Sequence, residues 1–430
     1  MMLDKLLAIL KESQLAAWEL WDVETRGWEF YFIRHALEQN RAKNVEHLTV
    51  KVYQTVEDGA FLGSASCEIA PTATEAELRA QIRALSYRAT LVKNKPYTLH
   101  RPAPVDSAAL APVDLAAIAE GFLNTVRAVP ETAGEDINSY ELFVSEKTRR
   151  YLNSEGVDLT ERYPDSMLEI VVNARREGHE IELYRNYTGG GCDAAALQRD
   201  LTRTMAFGRD RLRAVPTPTL GKADLLLTTR DAVTLYSYFT DRLSTAMIYR
   251  RMSDWKLGEP VADFTGDRPT VRAVRELPNS SRNRLFDAEG APIRDALLLD
   301  EGVARRYLGQ RMFAAYLGLE DAFIPTNYAV SGGTHTEAAL RSGPCLEVVE
   351  FSDFQVDSMT GDIFGEIRLG YWHDGERVTP VTGGSVSGSM LELAGALRFS
   401  AESAQYDNWM IPAATLVSGV TVTGQEDNEE

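Results

Sequence analysis

Residues able to do acid–base or metal chemistry are sparse in this chain. Histidine occurs at His35, His47, His100, His179, His335 and His373, and none lies between His179 and His335. His179-Glu180 is the one His-Glu pair. A zinc site of the peptidase type needs a second imidazole one helical turn later on the same face. Leu183 stands where the shorter spacing requires it and Tyr184 where the longer one does. Ile181 and Leu183 alternate with Glu180 and Glu182, which predicts a strand rather than a helix. The pair is therefore rejected as a metal site.

Other candidates have a plainer use beside the chemical one. His335 follows Ser331-Gly332-Gly333-Thr334 and precedes Glu337, a polar segment suited to a binding loop, although a lone loop histidine is more often a solvated side chain. Gly189-Gly190-Gly191 precedes a helix but lacks the Gly-Lys-Ser/Thr ending of a phosphate loop, so a turn is the better reading. Asp287-Ala288-Glu289-Gly290 offers an acid/base pair, a cation site, or a turn in which the aspartate caps its own backbone; the turn is preferred. Gly384-Ser385-Val386-Ser387-Gly388 does not match a nucleophile elbow, and no base for a serine is identifiable. Cys67, Cys192 and Cys345 are far apart, without a Cys-x-x-Cys, which argues against a disulfide framework and for small buried residues in a reducing compartment.

The central helix is read from Arg230 to about Arg251, with Ala232, Tyr236, Phe239, Leu243 and Met247 on one stripe, the signature of a core helix. Net charge is −18, a field that repels phosphate backbones and argues against direct nucleic-acid binding. Arg203, Arg209, Arg211 and Arg213 are expected to form a solvated helix face. No apolar run approaches the length needed to span a bilayer. Leu3, Leu6, Leu7 and Leu10 recur at helical spacing, so the N-terminus reads as a helix of the folded protein rather than a signal peptide. A cytoplasmic location is expected.

The elements that must position these residues fall in two regions. In residues 1–214, helices are predicted over 1–17, from a Thr72/Glu75 capping box to about Val92, over 115–126 and over 194–213. Residues 28–33 are a strand or a helix start, and 101–112 a loop. Strands are predicted at 47–53, 65–69, 140–146, 148–152, 168–174 and 180–186. The boundary is set at Val215-Pro216-Thr217-Pro218-Thr219, which two prolines stiffen. Residues 215–424 then read as strand-rich: 224–228, 345–351, 366–372 and 414–423, with further helices over 300–317 and 390–397. In 366–372, Ile367, Leu369 and Tyr371 share a face opposite Glu366 and Arg368. Residues 425–430 are an acidic tail, expected to be disordered. Helices and strands mix without sustained βαβ alternation, which indicates an α+β fold with two lobes, a mixed N-terminal domain and a strand-rich C-terminal domain.

The order of several short motifs resembles the TldD/PmbA family, known as modulators of DNA gyrase, from about residue 20 to Gly424. These are Tyr151-Leu152-Asn153-Ser154-Glu155-Gly156, Pro218-Thr219-Leu220-Gly221, Lys256-Leu257-Gly258-Glu259, Phe286-Asp287-Ala288-Glu289-Gly290, Pro380-Val381 and Gly388-Ser389-Met390. In that family the TldD-type half carries a zinc-binding His-Glu-x-x-x-His on the central helix and a later cysteine ligand. This chain has Thr229-Arg230-Asp231-Ala232-Val233-Thr234-Leu235-Tyr236 at the first place and Tyr406-Asp407-Asn408-Trp409-Met410 at the second, so it is similar to the PmbA (TldE)-type half.

The resemblance implies a two-lobed subunit that pairs with a TldD-like, zinc-bearing homologue to enclose a cavity for unfolded peptides. No catalytic residue, metal ligand or cofactor is then expected in this chain, zinc being expected on the partner. By position, Arg230, Asp231, Asn327, His335, Asp407 and Asn408 are the candidates for groups facing that cavity. A homodimer is the arrangement if the partner is missing. Two alternatives stand: the chain is itself a divergent metallopeptidase using groups such as Asp231, His335 and Asp407, or it is a regulatory binder of gyrase-related proteins.

Overall fold

The computed structural model of the chain describes residues 2–105 and 112–425. Its N-terminal part runs α1 (Met2–Glu12), β1 (Ala17–Ile33), β2 (Ala36–Val56), β3 (Phe61–Ile69), α2 (Glu75–Ala89), α3 (Leu115–Arg127), β4 (Glu135–Asn153), β5 (Asp158–Arg176), β6 (His179–Gly189) and α4 (Ala194–Arg211). The strands form one antiparallel sheet in the order β3-β2-β1-β4-β5-β6. Alternation along β1 sends Trp18 and Leu20 under α1 and α2, where Leu6, Ile9, Leu10, Leu78, Ile82 and Leu85 are buried. The far end of the same face, at Phe32 with Leu142, Val144, Leu168 and Ile170, is covered by Phe122, Val126, Leu201 and Met205 of α3 and α4. Each helix hides its apolar stripe against the sheet, as amphipathic elements must.

The C-terminal part contains β7 (Val215–Pro216), β8 (Gly221–Leu227), α5 (Ala232–Arg242), α6 (Thr245–Tyr249), β9 (Thr270–Val274), β10 (Ala296–Asp300), β11 (Val303–Ala304), α7 (Arg311–Tyr316), β12 (Asn327–Ser331), α8 (Glu337–Leu340), β13 (Cys345–Val356), β14 (Asp362–His373), β15 (Val378–Thr382), β16 (Ser385–Ser389), α9 (Met390–Leu393), β17 (Arg398–Phe399), β18 (Ser403–Tyr406), β19 (Trp409–Pro412) and β20 (Thr415–Thr423). One sheet follows β11-β10-β9-β12-β19-β18; the other follows β13-β8-β20-β16-β14-β15-β7. An additional β13–β14 pairing closes five of the latter strands into a ring. Leu235, Tyr236 and Phe239 of α5 join Leu227, Val348, Ile367 and Val420 of the ring and Val271, Ala273 and Leu299 of the other sheet in one core. The fold is α+β, with the strand-rich character concentrated in the C-terminal part.

Several sequence expectations are corrected. The helix predicted to reach Ala17 stops at Glu12, and Ala17 opens β1. Residues 28–33 lie inside β1, and the two strands predicted between 140 and 152 are one continuous strand, β4, because the paired sheet carries the chain past its polar positions. The capping box sits two residues later than predicted: Thr74 Oγ1 accepts from Glu77 N and the Glu77 carboxylate from Thr74 N. The central helix breaks after Arg242, with Ser244 capping a separate α6. Most of 300–317 is not helical; the left-handed Glu301 and Gly302 turn the chain back into β11, and only α7 is a helix there. The face assignment in β14 holds only in part: Ile367 is buried in the core beneath α5 while Glu366 and Arg368 are exposed, but past the register shift Leu369 and Tyr371 pack in a separate cluster with Leu183 and Phe207 rather than with Ile367. Of the acidic tail, Gln425 donates its N–H to Thr217 O, and residues 426–430 lie outside the described residues, as do 106–111 of the predicted loop. Among the described residues, no helix is long and apolar enough to cross a membrane.

The two parts meet along a seam in which polar bonds from the loop Phe286–Ala291 stand beside apolar contacts of Tyr151 and Val157 with Phe286 and of Leu183 and Phe207 with Val349 and Leu369. Asp287 is 1% exposed. Its Oδ1 accepts from Glu289 N and Ala291 N at 2.8 and 2.9 Å, and its Oδ2 from Ile324 N at 2.7 Å. This is the capped turn expected from the sequence. The loop then presents Ala288 O to Trp21 Nε1 (2.6 Å) and Phe286 O to Arg149 Nη2 (2.5 Å). Gly290, at φ 82°, lies so close to the Tyr151 ring that a Cβ would fall 2.4 Å from Cε1. Gly290→Ala should therefore lower the free energy of unfolding in urea by about 2–4 kcal/mol, from steric overlap and left-handed strain.

Candidate functional site

The face of the molecule where α5 begins is a cleft between β6 and α4 on one side and the C-terminal part on the other. Arg230 crosses it, donating Nη1–H to Asn186 O of β6 at 2.8 Å. Asp231 follows, accepting from Thr229 Oγ1 at 3.2 Å. Burial pushes its carboxyl up, against the Thr229 bond and the positive charges of Arg230 and Arg185. A second carboxylate faces it, that of Glu350, which sits in the irregular stretch of β13 where the β14 register shifts. Bulges of this kind re-aim side chains. Glu350 Oε1 is 3.8 Å from Arg185 and 3.9 Å from Arg211, and burial raises this carboxyl too, opposed by Arg185, Arg211 and Arg368. Arg185 also donates Nη1–H to Tyr184 O at 2.9 Å. Tyr406 lies against the same cleft, donating to Thr228 O at 3.4 Å. Guanidiniums, carboxylates and a phenol so placed can hold charged and hydrogen-bonding groups of an extended chain.

The remaining predicted residues fall elsewhere. Asn327, Asp407 and Asn408 come together in the wall formed by β12 and β19. Asn327 is 0% exposed; its Nδ2 donates to Arg275 O, Arg282 O and Asn283 Oδ1, and its Oδ1 accepts from Ser280 Oγ. Asp407, at φ 50°, accepts from Ser281 N and Ser281 Oγ, both at 2.7 Å. Asn408 donates to Thr326 O and accepts from Tyr328 N. His335 stands apart with Asp267, its Nε2 3.9 Å from Asp267 Oδ2. Asp231, His335 and Asp407 thus have separate partners, and among the described residues no group of three His, Cys, Asp or Glu side chains is placed to hold a metal ion. The solvated arginine face predicted on α4 is present at Arg203, Arg209 and Arg213, which are exposed and pair with Asp200, Glu135 and Asp210, whereas Arg211 is half-buried and turns towards Glu350.

Zinc takes imidazole nitrogen, thiolate or carboxylate oxygen. The inward side chains of α5 are Ala232, Leu235, Tyr236 and Phe239, each at most 1% exposed. Tyr236 shares a 2.7 Å hydrogen bond with Thr415 Oγ1 and packs on Phe399. These residues do not fit the metal. The stretch 406–410 offers Asp407, already bonded to Ser281, and no thiol.

Residues 220–424 match the model of the PmbA/TldA metallopeptidase C-terminal domain and residues 107–210 that of the central domain. The chain belongs to the TldD/PmbA family. No curated protein matches it. TldE from Thermococcus kodakarensis superimposes with a TM-score of 0.78 at 13% identity, over 98% of this chain and 100% of that one. A candidate modulator of DNA gyrase from Thermotoga maritima gives 0.78 at 15% identity, over 98% and 99%. One from Bacteroides thetaiotaomicron gives 0.78 at 18% identity, over 98% of each chain. At these identities the likeness is one of fold.

Glu350 and its arginines were missed in the sequence because nothing local marks them; a register shift and the meeting of two lobes assemble the group. Glu347 was missed for the same reason. It is 8% exposed and meets Thr228 Oγ1 at 2.8 Å, Arg341 Nε and Nη2 at 2.9 and 3.0 Å, and His373 Nε2 at 3.3 Å. Burial alone would raise this carboxyl, but His373, Arg341 and Thr228 outweigh it and hold it at about 2. A depressed carboxyl stabilises the fold above its unfolded value, and that contribution is lost as pH falls from about 4.5 towards 2. Glu347→Gln should cost about 3 kcal/mol at neutral pH and flatten the acid limb of the stability profile, read by denaturant unfolding at a series of pH values.

Proposed function

We propose that this chain is the non-catalytic, TldE-like subunit of a TldD/TldE-type metallopeptidase and completes a peptide-holding cavity with a zinc-bearing homologue. The reading rests on one observation: the family's central helix is present as α5, but its inward side chains are apolar or, at Tyr236, committed to Thr415. Family membership and the likeness to TldE support it. The inter-lobe cleft at Arg230 and Asp231, with Arg185, Arg211 and Glu350, is where we place the contact with unfolded peptide, and the metal chemistry is assigned to the partner. The unpaired Cys67, Cys192 and Cys345 suit a reducing compartment, and we place the protein in the cytoplasm.

The test is reconstitution. The purified chain alone should bind no stoichiometric zinc by elemental analysis and cleave no unfolded peptide. Co-expressed with a homologue carrying His-Glu-x-x-x-His, it should co-purify, and the mixture should cleave the peptide at least about tenfold faster than the homologue alone, a barrier difference of about 1.4 kcal/mol. Stoichiometric zinc with peptidase activity in the isolated chain would overturn the reading in favour of a divergent enzyme. Capture of gyrase with no homologue present would favour the regulatory binder.

A further inference from the structure

The seam between the lobes contains a carboxylate that the proposed function does not use. Glu289 stands in the loop that Asp287 organises, and its Oε2 accepts the backbone N–H of Arg311 at 2.7 Å, at the start of α7. Two further carboxylates act on it. Asp287 belongs to its own loop, and Glu19 projects from β1 of the other lobe. Glu19 is itself buried, accepting hydrogen bonds from the hydroxyls of Tyr53 on β2 and Tyr151 on β4, with Lys51 Nζ 3.6 Å away. Lys51 is the opposing cation. The phenols of Tyr97 and Tyr151 complete the surround, and both feel the charge of Glu289. Like charges in a poorly solvated space repel strongly, and one carboxyl of such a group keeps its proton.

The same loop carries bonds that join the lobes. Trp21 Nε1 donates to Ala288 O, next to Glu289, and Arg149 Nη2 to Phe286 O. Arg311, whose amide Glu289 holds, donates Nε–H to Thr98 O at 3.0 Å across the seam. A change of charge at Glu289 therefore falls on the contact between the two halves.

We propose that Glu289 is a proton-operated latch: protonated, it carries no charge for Asp287 and Glu19 to repel and the lobes stay joined; ionised, it is repelled by both, and the Phe286–Ala291 loop draws back from β1. Burial, first, and then Asp287 and Glu19 raise this carboxyl to about 7, while the Arg311 amide and Lys51 oppose the rise. A raised carboxyl contributes its stability below its unfolded value and loses it as pH climbs through the folded one, so the joint is tight at mildly acidic pH and slackens above neutrality.

The test uses the full chain. The indole N–H of Trp21, assigned with Trp21→Phe, is followed by NMR from pH 5.5 to 8.5, together with amide exchange at Arg311 corrected for the intrinsic pH dependence. The expected result is a titration of the Trp21 signal centred near 7 and a loss of Arg311 protection of about tenfold or more between pH 6 and 8, one pKa unit being a factor of ten. Both changes should vanish in Glu289→Gln. Glu19→Gln, which keeps an acceptor for the two tyrosines, should move the midpoint to lower pH. A Trp21 signal and a corrected protection that do not change with pH in the native chain would overturn the latch, as would an unaltered titration in Glu289→Gln. An unshifted midpoint in Glu19→Gln would also count against it, and serves as the check if Glu289→Gln fails to fold.

Discussion

Asp287 makes the two-part architecture possible. A carboxylate almost wholly removed from water must be met by donors or lose its charge, and this one gathers three backbone N–H groups from its own loop and from the segment before β12. That gathering organises Phe286–Ala291. The loop presents carbonyls to Trp21 and Arg149, and a glycine where the Tyr151 ring leaves no room for a side chain. Glu161 pairs with Arg149 of its own sheet at 2.7 Å, accepts from Leu285 N across the seam and lies 3.8 Å from the Arg284 guanidinium, so this buried charge is answered by backbone and guanidinium on the other side. An N-terminal sheet and a C-terminal ring, each with its own apolar core, are held together by these desolvated polar bonds and by the apolar contacts that cross the seam beside them.

Within the C-terminal part the decisive choice is what α5 turns inward. A helix that carries metal ligands must leave polar atoms facing an accessible space. Here the inward positions are filled by Leu235, Tyr236, Tyr238 and Phe239, with Trp255 packed edge-on against Tyr238. The helix has become a packing element between two sheets, and its start, at Arg230 and Asp231, is the part that meets the cleft. The chain keeps the scaffold of its family, and the groups at the centre of α5 serve cohesion.

Much of this was legible from residue order. The α3 and α4 helices, the Asn153 turn, whose Oδ1 accepts from Glu155 N and Val157 N, and the Asp287 cap follow from local rules of periodicity and turn chemistry. Long strands were broken in the reading because Lys147, Arg149 and Arg150 interrupt the apolar pattern of β4; pairing with both β1 and β5 overrides that local signal. The segment 300–317 misled for the converse reason, since its apolar spacing is helical but Glu301 and Gly302 adopt left-handed backbone and start a hairpin. Of the candidate site, Arg230 and Asp231 were found by position, whereas Glu350 and Arg185 were invisible because they are brought together only by tertiary packing.

The arginines of the cleft have one more effect. β6 ends its sheet, and an end strand offers its main chain to any other extended polypeptide. Two of its carbonyls, at Tyr184 and Asn186, are occupied by the guanidiniums of Arg185 and Arg230. The second of these belongs to the opposite half of the molecule, so joining the halves also helps to shield the N-terminal sheet from stray strand pairing, and parting them bares a sticky margin.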